Sequence, residues 1–290
     1  MSSRKPTRRE VVIEALQFRP PPYVPWSWGP TQQCAARLRE HLGVEDLSDF
    51  LDSHFLDLGS EIGRFVPAGA DHVRDVYGVV WDRRVDKDIG TPVDWPIKRP
   101  QDLDGYDWPD ADDPAWYADI PRRLAACGDR FRRYMLGFSL YERAWTMRGA
   151  ANLLMDMVER PEFVERLLDA IVAHDLQQVR RALAMDFDAV YFGDDYGMQT
   201  GLIMGIAHWR HFFKPRLARL FAPVREAGKY VCLHSCGCVT ELFDDLVEIG
   251  LNVFNPFQPE VMDVFALKRR YHGRLAFHGG MSIQKVLPFG

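Results

Sequence analysis

The chain lacks any excess of positive charge: 36 Lys and Arg stand against 41 Asp and Glu in 290 residues, for a formal net charge of -5. A nucleic-acid surface needs a basic patch or stripe, so that class of partner is excluded. No apolar run is long enough to cross a membrane. The opening M-S-S-R-K-P-T-R-R-E is basic without an apolar core behind it, so no secretion leader is read and a cytoplasmic location is expected. Cysteines number only five, and Cys34, Cys127, Cys232, Cys236 and Cys238 make no disulfide framework. Three of them fall within seven residues, which in a cytosolic protein favours metal or redox chemistry over bridges. No internal repeat or low-complexity tract appears. No G-x-G-x-x-G turn opens a helix, which disfavours a doubly wound dinucleotide-binding sheet.

What remains is an ordinary globular composition, 47% hydrophobic and 27% charged, in a chain long enough to bury a sizeable core. Its most informative stretch is K-Y-V-C-L-H-S-C-G-C at 229–238. An apolar β-branched run ends there in His234, Ser235, Cys236 and a turning glycine. Alternation along a strand sends His234 and Cys236 to one face, and imidazole with thiolate on one face suits zinc. Cys232 shares that face deeper in the strand and reads as core. Cys238 opens the next helix as a secondary ligand candidate.

The same grammar recurs along the chain. Residues 5–18 and 31–42 have helical spacing, with Thr7 and Glu10 in capping-box register. Tyr23–Trp28 reads as a first strand, 54–59 as a second, and 60–115 as an excursion from the main fold, with a hairpin of 76–82 against 85–89 and an Asp- and Pro-rich loop at 102–113. From 130 onward strands and helices alternate. Strands are expected at 134–138, 188–192, 229–234, 252–254 and 275–277, and helices at 144–158, 161–184, 207–227, 239–249 and 263–271. Short connections between them imply parallel strands with right-handed crossovers. Each strand ends in acids, His, Cys, Ser or Asn with Gly. Such ends meet at the C-terminal mouth of a (β/α)8 TIM barrel, the fold expected for a single domain over 1–290. Seven candidate strands are found, and the chain stops at L-P-F-G, so the last strand-helix unit is expected to lie outside it.

The mouth residues define candidate roles. Asp194 and Asp195 point apart on extended chain and are the candidate catalytic acids or bases, caps of a helix being the plainer reading. Arg143, after the 134–138 strand with Glu142 and Arg148 beside it, is a candidate carboxylate or phosphate anchor. Tyr196, Gln199, Asn255, Gln258 and Ser282 are candidate substrate-orienting groups, with loop-stabilising bonds as the alternative. His278 is a candidate base or additional ligand, and Trp26 and Trp28 are candidates to line an apolar pocket.

In order along the chain, E-R-A-W-T-M-R-G (142–149), G-D-D-Y-G-M-Q-T-G-L-I-M (193–204), F-F-K-P-R-L (212–217), H-S-C-G (234–237), N-P-F-Q-P-E (255–260) and H-G-G-M-S-I-Q-K-V-L-P-F-G (278–290) resemble the uroporphyrinogen decarboxylase-like superfamily. That superfamily includes methyltransferases that move a methyl group between a corrinoid protein and a thiol. The resemblance implies a (β/α)8 barrel with its site at the mouth and a small-molecule substrate. From the methyltransferase branch it implies zinc at His234 and Cys236, a third ligand from a cysteine beyond Gly290, a corrinoid supplied by a partner protein, and pairing into a homodimer. The arginine-rich R-Q-A-G-R stretch of the decarboxylases has no counterpart here, S-E-I-G-R-F at 60–65 being the nearest. A zinc-dependent methyltransferase is therefore the leading expectation. The alternatives are a metal-free decarboxylase using Asp194 and Arg143, and a non-catalytic partner barrel.

Overall fold

The computed structural model describes residues 4–60, 62 and 64–289; Glu61 and Gly63 of the S-E-I-G-R-F stretch lie outside the described residues. Ten strands are described: β1 (Phe55–Ser60), β2 (Val66–Pro67), β3 (His72–Arg74), β4 (Val80–Asp82), β5 (Thr91–Asp94), β6 (Phe131–Leu136), β7 (Ala189–Gly193), β8 (Tyr230–His234), β9 (Val253–Phe257) and β10 (Ala276–Gly279). Six form one parallel sheet in the order β1-β6-β7-β8-β9-β10. The other four make an antiparallel sheet, β2-β3-β4-β5, inside the excursion.

Alternation divides the parallel sheet into two cores. Leu58, Tyr134, Leu136, Val190, Phe192, Val231, Leu233 and Phe254 pack against the helices, among them Pro161–Leu183, Lys214–Glu226 and Phe243–Glu248. The opposite face carries a separate cluster of Phe131, Ala189, Tyr191, Cys232, Val253 and Ala276. Two apolar faces on one parallel sheet are the arrangement of a (β/α)8 barrel, whose interior is packed rather than hollow. The helix Arg8–Leu16 closes the end where the strands begin. Its Val12 joins the inner cluster, and Arg8 and Arg9 pair with Asp129 and Asp188, just ahead of β6 and β7. The expected capping box is formed, the Thr7 side chain accepting from the Glu10 N–H and the Glu10 carboxylate accepting from the Thr7 N–H. Among the described residues, no helix is long and apolar enough to cross a membrane.

Four local readings are corrected. Tyr23–Trp28 is not a strand: Pro25 has no N–H to donate, and the segment docks through the Trp26 carbonyl, which accepts from His54 N–H at 3.0 Å. Residues 85–89 are a connection, and β4 pairs instead with β5 and β3. The strand expected at 134–138 starts earlier and stops at Leu136, before Phe138, whose φ of 53° has left the extended region. The helix expected over 144–158 is two, Tyr141–Arg148 and Ala150–Glu159. They break at Gly149, where φ is +88° and a Cβ would stand 2.9 Å from the Trp95 ring.

Candidate metal centre

The loops after β7 and β8 lie backbone on backbone. A Cβ on Gly197 would stand 2.6 Å from the Cys236 carbonyl oxygen, and one on Gly237 would overlap the Gly197 backbone. Hydrogen bonds lock the contact from both sides. Cys236 N–H donates to Asp195 Oδ1 (2.6 Å), Cys238 N–H to Met198 O (2.7 Å), Tyr196 N–H to Ser235 Oγ (2.9 Å) and Gly237 N–H to Gln258 Oε1 (2.6 Å). Two glycines, three polar side chains and a run of backbone donors thus hold the strand ends in register.

This apposition brings Asp195, His234 and Cys236 together, one donor atom from each lying within 4.8 Å of the others. His234 Nε2 is 3.4 Å from Cys236 Sγ and 3.5 Å from Asp195 Oδ1. Oxygen, imidazole nitrogen and thiolate are the donor types that zinc takes, and three protein ligands leave a position for substrate. The local field favours a cation. Burial, then Asp195 and Glu142, push the Cys236 thiol up to about 12. Burial, then Asp195 and Asp194, push the Glu142 carboxyl up to about 10. A thiol that resists ionisation beside carboxylates ionises readily once a dication neutralises them. The residues present fit zinc.

The two adjacent acids do separate, as expected from an extended chain. Asp194 is fully buried and faces away from the donor group. Its carboxylate accepts from Tyr141 N–H (2.9 Å) and Glu142 N–H (2.7 Å), at the start of the helix Tyr141–Arg148, and from the Tyr196 hydroxyl. Burial raises its pKa to about 7, against the pull of those donors. Asp195, partly open, carries the donor oxygen.

Other candidates fall elsewhere. Arg143 is turned to the excursion, with Asp75 at 3.3 Å, the Ile62 carbonyl, and the Tyr77 ring 3.6 Å from its guanidinium carbon. Tyr196 is buried on Asp194, Gln258 is spent on Gly237, and Ser282 donates to Glu260. Gln199 stands exposed on the loop after β7. Arg148 pairs with Asp156 at 2.7 Å, and Cys238 Sγ lies 3.8 Å from Thr240. Trp28 is exposed, and Trp26 packs on His54 at 4.3 Å. Cys232 lies in the inner core, where burial pushes its thiol up to about 12.

Asn255 and His278 stay close to the centre but are occupied. Asn255 Oδ1 lies 2.8 Å from His234 Nδ1 and accepts from the Tyr191 hydroxyl at 2.6 Å, while its Nδ2 donates to the His278 carbonyl at 2.9 Å. The His278 ring stacks on Phe55 at 4.9 Å and bonds Ser27 Oγ (2.8 Å) and Arg133 Nη1 (3.3 Å). Burial and then Arg133 push its pKa down to about 3, so it is neutral. Tyr191, Ser235 and the Asp57–Arg133 pair are not among the candidates that the sequence motifs single out. Tyr191, Asp57 and Arg133 sit on inner-face positions of their strands, so parity alone would have found them.

A parallel barrel sheet with reactive side chains gathered at the ends of its strands defines a TIM-barrel protein whose site lies at the C-terminal mouth. Comparison with known proteins narrows the class: the family model of uroporphyrinogen decarboxylase (URO-D) matches residues 92–284, and the chain belongs to the URO-D family. Among solved structures, a methyltransferase from Methanosarcina mazei is similar in fold, with a TM-score of 0.66 at 13% identity, covering 94% of this chain and 82% of that one. No curated protein matches the chain.

Proposed function

We propose that this URO-D family barrel is a zinc-dependent methyltransferase acting on a thiol. The observation that carries the reading is the convergence of Asp195, His234 and Cys236 from the ends of two adjacent parallel strands. These three side chains would hold the ion, Asp195 taking the place that the resemblance gave to a cysteine beyond Gly290. Zinc bound there favours the thiolate form of a thiol at neutral pH, and the thiolate is the nucleophile that methyl transfer requires. Asp195 is positioned by the Cys236 N–H and His234 by Tyr191 and Asn255, so the donors are held before substrate arrives. Glu142, buried beside them and uncharged at neutral pH, can donate a hydrogen bond into the site. The methyl donor is a methylated corrinoid carried by a partner protein.

The decarboxylase alternative needs a free guanidinium for an acidic substrate, and the engagement of Arg143 with Asp75 weighs against it. The test is metal content and methyl transfer on the same preparation. Zinc near one equivalent, with transfer from methylcobalamin to a small thiol that a chelator stops and zinc restores, is the expected result. Transfer indifferent to chelation sinks the proposal, as does protein that takes up no zinc. Turnover that survives loss of both Asp194 and His234 would favour the non-catalytic partner barrel.

A further inference from the structure

We infer that Asn255 and Tyr191 are positioning residues, which hold His234 in the tautomer with its proton on Nδ1 and so present the Nε2 lone pair to Asp195 and Cys236. Asn255 Nδ2 donates to the His278 carbonyl at 2.9 Å, and a flipped amide would set oxygen against oxygen there. The amide orientation is thereby fixed, with Oδ1 toward β8. That oxygen lies 2.8 Å from His234 Nδ1. A carbonyl oxygen only accepts, so the hydrogen between them belongs to the ring nitrogen. The Tyr191 hydroxyl, 2.6 Å from the same oxygen and 2.9 Å from Nδ1, donates to Asn255 and leaves the assignment unchanged.

The anchor is itself anchored. Arg133 binds Asp57 through two nitrogens (2.7 and 2.8 Å), lies 4.3 Å from the Phe55 ring and 4.9 Å from the Tyr191 ring, and donates to His278 Nδ1. His278 Nε2 then donates to Ser27 Oγ. An uninterrupted set of contacts therefore runs from β1 through β6 and β10 to Asn255 on β9 and His234 on β8. The hydrogen bond made by one ring nitrogen decides which nitrogen is free for other chemistry.

The inference deepens the metal reading and rests on it only for affinity; the tautomer can be read without metal. Two-bond proton–nitrogen correlation spectra of metal-free, ¹⁵N-labelled protein near neutral pH, with His234 assigned from His234→Gln, should show the proton on Nδ1. Asn255→Leu should move it to Nε2 and weaken binding of zinc by about 10- to 100-fold. Asn255→Asp keeps an acceptor toward His234, at the cost of an oxygen facing the His278 carbonyl, and should retain the Nδ1 proton. A wild-type ring protonated on Nε2 overturns the inference, as does a folded Asn255→Leu protein with its tautomer unchanged. If Asn255→Leu does not fold, the wild-type spectrum decides. Nδ1 protonation in a protein that binds no zinc would uphold the relay and defeat the metal reading.

Discussion

Two regions of this molecule bury charge, and they balance it differently. Under the antiparallel sheet, Arg143 and Asp75 are almost wholly inaccessible and face each other. Asp75 also accepts from Tyr77 N–H, Val79 N–H and Trp81 Nε1–H, so the buried carboxylate has both a cation and three neutral donors within the chain. At the ends of β7 and β8, Asp195, Cys236 and Glu142 crowd together, and among the described residues no lysine or arginine is ion-paired with them. The first is a clasp that ties the excursion to the barrel. The second is a set of donors in which Glu142 and the Cys236 thiol hold their protons, and which a bound dication would complete. Burial is common to both, so it does not distinguish a site from a clasp; an ion-paired cation, present in the one and absent among the described residues of the other, does.

Breaking the clasp should have the largest effect on folding. Arg143→Met leaves Asp75 buried without its cation and should cost about 3–5 kcal/mol in urea unfolding, while zinc content stays unchanged. A loss of zinc with little loss of stability would reverse the roles assigned to the two regions. Gly237→Ala comes next, since a methyl group there meets the Gly197 backbone at a φ of +83°. It should cost about 1–3 kcal/mol and also weaken zinc binding, because it pries apart the loops carrying Asp195 and Cys236. Third, the neighbouring acids should part company. Asp195→Asn should lower zinc affinity by about 10-fold or more with little change in stability. Asp194→Asn should mainly loosen the start of the helix Tyr141–Arg148, read as faster amide exchange at Tyr141 and Glu142.

The difference between the regions also explains what could be read from sequence. The parallel half was legible because each strand is a short apolar run with its polar residue at the end, and parity then placed His234 and Cys236 on one face. The separate placements of Asp194 and Asp195 followed from the same alternation. Arg143 was not legible. Its partner Asp75 lies 68 positions earlier, in the excursion, and an arginine after a strand looks the same whether it meets substrate or a buried aspartate. Nor could spacing foretell that Gly197 and Gly237 would touch, although that contact delivers Asp195 to the group. Tyr23–Trp28 misled because aromatic residues favour strands, while Pro25 denies the ladder a donor.

The smallest effect is expected at His278, which borders the centre without belonging to the donor group. Its folded pKa lies near 3, against 6.5 for an unperturbed histidine. Between those values the unfolded chain binds a proton that the native protein refuses, so this residue makes stability fall as pH drops through that window. Asp194 and Glu142 have raised pKa values and give the opposite slope, because there the native state holds the extra proton. The contribution must therefore be taken as a difference between wild type and His278→Gln, followed by chemical unfolding from pH 6.5 down to about 5. The wild type should lose up to about 2 kcal/mol more than the variant over that range, and less in proportion as the partly open ring is screened by solvent. Parallel profiles would mean that His278 takes up its proton within the native barrel. Its bond from Arg133 would then have to give way, and with it the rigidity of the relay to His234.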